Sequence, residues 1–363
     1  MTVKGIVLGT RKGLLVLQQE SGQWNTKNFS FKGVNISYAQ IDPYNGDIWV
    51  CADHGHWDQK LYRSKNMGSS WTEITTPKYP DGEEIKKGVP AKLKYLWVMA
   101  FDARCEDKKI YIGTEPGGLF VSKNDGESFE LVLGLWNQPT RQEQWFGGGR
   151  DNPAIHSIIL DPINPDRMLV GISCAGVFET LDQGNTWHPI NKGLKAEFLP
   201  NPDAEIGQDP HFVTQCKNEP DKLWQQNHCG IFNSKDGGKN WHDVSDKTAN
   251  AYFGFAVAVD EKDGDTAWVI PAENDDKRIA IDGALRVCRT EDGGKSWKQL
   301  TDGLPRENCF DLVFRHALDI SGDLLVFGTT TGNLYLSENR GDSWTCLGNS
   351  FPPIYSVRLA KLS

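Results

Sequence analysis

An eight-residue pattern, Ser/Thr-x-Asp/Asn-x-Gly-x-Ser/Thr/Asn-Trp/Phe, recurs six times in this chain, beginning at Ser64, Ser122, Thr180, Ser234, Thr290 and Ser337. The starts are separated by 58, 58, 54, 56 and 47 residues. Five constrained positions at near-constant spacing exclude coincidence and require a fold built from one repeated supersecondary unit. The octet itself reads as a turn. Its Asp or Asn side chain can accept backbone N–H groups two residues on, its glycine supplies a positive φ, and its aromatic has a large surface to bury between sheets.

Two short β-forming runs precede each octet: 109–113 and 118–121 before Ser122, 168–171 and 177–179 before Thr180, 324–328 and 334–336 before Ser337. Farther upstream lies another β-rich run, such as 154–160 or 253–259, often ended by a turn such as Asp42-Pro43 or Asp161-Pro162. The order of strand, turn, strand, loop, strand, octet and strand describes one four-stranded propeller blade. A seventh unit is split between the ends. Residues 5–10 and 13–17 read as two strands, 17–24 fit a decayed octet, and 353–359 form a first strand with no blade after it. Pairing the two ends closes the ring and removes exposed sheet edges. The expectation is an all-β, seven-bladed β-propeller, one domain over residues 1–363, closed by the C-terminal strand completing the N-terminal blade.

The octets are identified as Asp boxes, and the chain resembles the BNR-repeat, sialidase-like β-propellers. Longer phrases, Gly134-Leu-Trp-Asn-Gln-Pro-Thr140, Phe198-Leu-Pro-Asn-Pro-Asp203 and Gln225-Gln-Asn-His-Cys-Gly230, are similar to bacterial stand-alone BNR proteins, commonly labelled glycosyl-hydrolase-like. The resemblance implies a structural role for the box acids Asp182, Asp236 and Asp292. It does not imply sialidase activity: the Arg-Ile-Pro motif is missing, and Arg11 stands in Thr-Arg-Lys-Gly.

A net charge of −9 argues against a nucleic-acid or anionic-membrane partner. The N-terminal residues lack the pattern of a signal peptide, and no apolar run reaches the length of a membrane span, so a cytoplasmic location is expected. Eight scattered cysteines then read as reduced thiols. No nucleotide or flavin cofactor is expected, and the sequence leaves the oligomeric state open.

Strand order sorts the loops. The octets and the turns after each first strand share one face, and the long insertions 77–94, 135–153, 193–210 and 271–282 fall on the other, where function is expected. That face carries His54, His56, His156, His211 and His228. Of these, His54, His156, His211 and His228 are candidate ligands of one divalent metal (zinc, iron or manganese), with Glu115, Gln226 or Asp209 able to complete a mixed site. His156, His211, Glu115 and Asp209 are the candidate acid–base groups. Trp57, Trp136 and Trp145 suit the apolar faces of sugar rings, and Arg11, Arg141 and Arg150 suit a carboxylate or phosphate, so all six are candidate contacts for a small-molecule or glycan ligand. Three functions stay open: an enzyme acting on a glycoside or related polyol, a metal-dependent lyase or oxygenase, or a non-catalytic binding scaffold.

Overall fold

Most strand-forming runs are apolar at successive positions rather than alternate ones. Gly254–Val259 reads Gly-Phe-Ala-Val-Ala-Val and is buried throughout, as are Met168–Ile172 and Ala267–Pro271. Strands of this kind need cover on both faces. In the computed structural model, which describes residues 3–104 and 108–361, they receive it from neighbouring sheets. Seven four-stranded antiparallel sheets form the molecule. In the fourth, Ile155–Leu160 pairs with Met168–Ile172, which pairs with Gly176–Thr180, which pairs with His188–Pro189. The innermost strands of successive blades, Asn35–Ile41, Tyr95–Asp102, Ile155–Leu160, Pro210–Gln215, Gly254–Val259, Leu318–Ser321 and Ile354–Lys361, touch one another in turn around the axis. The chain is therefore a seven-bladed β-propeller.

The remaining blade closes as the sequence implies. Ile354–Lys361 pairs antiparallel with Val3–Thr10, with Leu8 opposite Val357 and Ile6 opposite Leu359, and the sheet continues through Gly13–Glu20 to Gln23–Ser30. The decayed octet proposed at 17–24 is instead a two-residue hairpin, Ser21 (φ 50°) and Gly22 (φ 80°), with Glu20 opposite Gln23. A Ser-Gly turn with both residues left-handed matches the twist of the flanking strands and needs no octet.

All six intact octets make the same turn, though not by the bonds expected. In the first, the Ser64 hydroxyl accepts the Gly68 N–H at 2.8 Å, and Asn66 accepts the N–H of Ser70, four residues on, at 2.9 Å. The same pair of bonds recurs in the other five. Two consecutive left-handed residues, Met67 (φ 54°) and Gly68 (φ 83°) in the first octet, fold the chain back far enough for the longer bond. Residue four of the octet often caps the first-strand turn of its own blade, as where the Gln183 amide donates to the Asp166 carbonyl. Octets and first-strand turns thus share one face.

The core lies between blades. Trp49 and Tyr38 of the second, Phe101 and Ile112 of the third, and Val170 and Phe178 of the fourth form one buried cluster. Each large apolar side chain so buried contributes about 1.5–3 kcal/mol. On the face opposite the octets, insertion 77–94 forms a small hairpin, Glu84–Lys86 with Val89–Pro90, and insertion 135–153 holds single-turn helices at Leu133–Trp136 and Arg141–Gln144. No helix among the described residues is long and apolar enough to cross a membrane. The seven described cysteines are free thiols; Cys105 lies outside the described residues.

Candidate functional site

The innermost strands begin on the face opposite the octets, and most carry a register break near their first residues. The ladder skips a residue between Leu96 and Val98, Ile155 and Ser157, Pro210 and Phe212, and Gly254 and Ala256. Trp97, His156, His211 and Phe255 are therefore bulged residues, the local device by which a strand redirects a side chain. Their rings meet around the axis: Trp97 lies 5.9 Å from His156, and His211 stacks on Phe255 at 4.4 Å with 11° between planes. Phe314 and Tyr355 continue this aromatic belt from Phe255.

Within the belt, the fifth blade assembles a cluster of three potential metal ligands. Asp209 immediately precedes Pro210–Gln215, His211 is the second residue of that strand, and His228 occupies the turn between Leu223–Asn227 and Gly230–Ser234. The His228 amide donates to the Asp209 carbonyl at 3.0 Å, which fixes the turn against the strand. Ligand atoms of Asp209, His211 and His228 lie within 4.8 Å of one another. Asp209 Oδ2 stands 3.8 Å from His211 Nε2 and 3.6 Å from His228 Nδ1. Both are too long for hydrogen bonds. They are close to the separation of about 3.4 Å between donors around a tetrahedral ion with 2.0–2.1 Å bonds.

Two of the three have a second hydrogen-bond partner that orients them, and the third faces a carboxylate. His211 Nδ1 donates to the Gly254 carbonyl at 2.6 Å, leaving the Nε2 lone pair toward Asp209. Asp209 Oδ1 accepts the Cys174 amide at 3.1 Å, where Cys174 is left-handed at φ 53°. His228 presents Nε2 to Asp275 Oδ2 at 3.5 Å. Burial pushes the His211 imidazole down to about 4, so it is neutral over the physiological range.

Cations surround this cluster. The Arg315 guanidinium lies 4.7 Å from the Trp97 ring and 5.8 Å from the Phe255 ring, and its Nε donates to the His211 carbonyl at 2.5 Å. Burial lowers it to about 10. Arg278 sits over the other side of the belt, 5.5 Å from Phe255, and Arg150 lies 5.2 Å from Trp97.

Several candidates from the sequence lie elsewhere. His54 bonds the Tyr62 hydroxyl at 3.2 Å in the second blade and does not join the cluster. His156 is fully buried, its Nδ1 2.9 Å from the Ser157 hydroxyl and its Nε2 without a partner among the described residues, so it is not one of the converging ligands. Glu115 is buried and occupied by Arg150 Nε and by Asn152 at 3.2 Å, an anchor for the 146–153 segment rather than a free acid. Trp136 and Trp145 are each 1% exposed, with indole N–H groups on Glu83 and Thr140. Arg141 stacks on Trp136 at 3.7 Å and donates to the carbonyls of Trp136, Glu84 and Ile85. Trp136 and Arg141 bind insertion 135–153 to insertion 77–94, Trp145 packs on Phe178 of the fourth blade, and all three are buried away from any ligand. Arg11 is exposed on the first blade. Trp57, 72% exposed, borders a groove of 1040 Å³ with Lys60, Pro77 and Asp81, away from the axis. Sequence reasoning missed Phe255, Asp275 and Arg315. Arg315 lies three residues before Leu318–Ser321, and the rule that innermost strands begin at the mouth points to it.

No family model matches the chain. Over 234 residues it is 25% identical to an oligoxyloglucan-reducing end-specific xyloglucanase of Emericella nidulans, a match covering 56% of this chain and 26% of that enzyme. In fold it is similar to the crystal structure of an ancestral GH74 enzyme, with a TM-score of 0.58 at 18% identity over 97% of this chain and 40% of that one. It is also similar to YCF48 from Cyanidioschyzon merolae, with a TM-score of 0.57 at 14% identity over 92% and 95% of the two chains. These likenesses show a shared β-propeller fold. The chain spans about a quarter of the xyloglucanase and two fifths of the ancestral GH74 enzyme.

Proposed function

We propose that this protein is a metal-assisted, glycoside-hydrolase-like enzyme whose reaction takes place at the axial mouth opposite the octets. The observation that carries this reading is the convergence of Asp209, His211 and His228, whose ligand atoms lie within 4.8 Å of one another, with second partners holding His211 and Asp209. Ligating imidazoles ordinarily donate their other N–H to a carbonyl or carboxylate, which sets the tautomer. The Gly254 carbonyl stands in that position for His211, and the Asp275 carboxylate lies 3.5 Å from Nε2 of His228. One divalent cation of the zinc, manganese or iron class suits two imidazoles and a carboxylate. When bound there, it supplies a Lewis acid and lowers the pKa of water. The chain's own groups hold it: His211 offers a neutral Nε2, Asp209 a carboxylate oxygen, His228 its Nδ1, and Phe255 fixes the plane of His211.

A metal-free pair of carboxylates is less well supported. Asp209 and Asp275 lie on the two edges of one imidazole, that of His228. The ring fills the gap in which a glycosidase of the two-carboxylate type places the sugar and water. The similarity to the xyloglucanase supports a glycoside as substrate.

The test is turnover of a panel of nitrophenyl glycosides and xyloglucan oligosaccharides by chelator-stripped protein, before and after zinc or manganese is restored. Turnover is expected to return with the metal and to fall about 100-fold or more in Asp209→Asn. Full turnover by stripped protein, or none by the restored protein on any member of the panel, contradicts the proposal.

A further inference from the structure

Arg315 is not accounted for by the metal cluster. Its guanidinium lies 4.7 Å from the Trp97 ring and 5.8 Å from the Phe255 ring, and of its nitrogens only Nε makes a hydrogen bond among the described residues. Most other arginines of the interior have a counter-charge or acceptors, although Nε of Arg286 and of Arg289 is buried without a hydrogen-bond partner among the described residues. Arg63, Arg104, Arg150, Arg167 and Arg289 pair with carboxylates, while Arg141 and Arg358 spend their donors on carbonyls, an amide and a phenol. Arg315 and Arg278 have no ion pair among the described residues. Arg315 is half-buried at the mouth and Arg278 is exposed there, and a partly desolvated guanidinium without a counter-charge is a place where a ligand can supply one.

Their geometry suits a planar anion. Cation–π contact with Trp97 and Phe255 and the Nε bond to His211 hold the guanidinium and leave its two terminal nitrogens as a fork, the arrangement that binds a carboxylate or phosphate in bidentate fashion. Arg278, over the same Phe255 ring at 5.5 Å, adds a second cation. Arg150, Arg278 and Arg315 match Glu115, Asp209 and Asp275 in number, and a divalent cation on the cluster would add positive charge beside the two arginines. We infer that Arg315 and Arg278 form a subsite for an anionic group, carboxylate or phosphate, carried by the sugar that the Asp209–His211–His228 centre handles. This deepens the proposed function and rests on it, since the subsite belongs to the same mouth.

The probes are glucuronate, glucose 6-phosphate and glucose, titrated calorimetrically into metal-loaded protein at low ionic strength. At least one anionic sugar is expected to bind about 10-fold or more tighter than glucose, and the better of the two names the anion. In Arg315→Gln and in Arg278→Gln that preference falls at least threefold, with metal content unchanged. Arg278 is exposed, so its variant tests the subsite without risk to folding. Equal binding of glucose and both anions, no binding of either anion, or an undiminished preference in both variants overturns the inference. Wild-type protein that takes up no metal yet keeps an arginine-dependent preference supports the anion subsite and overturns the metal reading alone.

Discussion

Metal-stripped protein is expected to lose about 2 kcal/mol of folding stability between pH 6 and pH 5 through His156 and His316 alone. Both are enclosed at the axis, at 0% and 2% exposure, and burial holds each imidazole well below its usual range. The groups facing them add to the effect: Arg315, His316 and His211 face His156, and Arg358 and Arg315 face His316. The sign follows from which state takes up protons. Below about pH 6.5 the unfolded chain protonates these imidazoles and the folded protein does not, so stability is full above that pH and falls as pH drops. His211, lowered to about 4, adds to the loss in stripped protein. Asp319, which burial pushes up, opposes it at the acid end. Urea denaturation at pH 7, 6 and 5 measures the slope, and a flat profile would show that the folded protein protonates these imidazoles as freely as the unfolded chain.

The second large effect concerns ring closure. A chain ending at Pro353 is expected to lose its cooperative unfolding transition and to associate. The missing strand, Ile354–Lys361, covers the whole of Val3–Thr10, and without it that strand is a long apolar edge open to other chains. Internal contacts go with it. Ser356 Oγ accepts the Ala39 amide at 3.1 Å, and Arg358 binds the Tyr38 hydroxyl at 2.8 Å and the His316 carbonyl at 2.9 Å. Buried Ile354 and Val357 are worth about 1.5–3 kcal/mol each before the hydrogen bonds are considered. A synthetic peptide spanning residues 350–361 should restore a monomer with a sharp transition. A truncated chain that unfolds at the wild-type temperature as a monomer would mean that the ring is held by contacts between blades alone.

Fold and site differ in how much of them the sequence carries. Octets at near-constant spacing, with apolar runs before them, specify four strands in a fixed order, and the unmatched run at 353–359 specifies the closure. The unit at 17–24 was obscured because a two-residue Ser-Gly turn and an octet both follow an apolar strand and precede an aromatic. At the site, Asp209, His211 and His228 are legible because one blade brings them together: two flank the start of its innermost strand, and the third lies in the turn beside it. His54 and His156 were indistinguishable from them by position: His156 is bulged at the start of its strand just as His211 is, and which neighbours converge on a bulged ring leaves no mark in composition. Trp136, Arg141 and Trp145 misled for a physical reason. Long loops on a rigid scaffold need cores of their own, and aromatic and arginine side chains supply one as readily as they supply a binding surface.

The central claim is that the fifth blade builds a metal centre. Its most direct test is calorimetric titration of zinc or manganese into stripped wild-type protein, His228→Ala and Asp275→Asn. Wild type should take up one equivalent, His228→Ala should bind at least about 100-fold more weakly, and Asp275→Asn, which removes only the exposed carboxylate behind His228, should lose about 10-fold. No uptake by wild type, or uptake that both substitutions leave unchanged, would contradict the account.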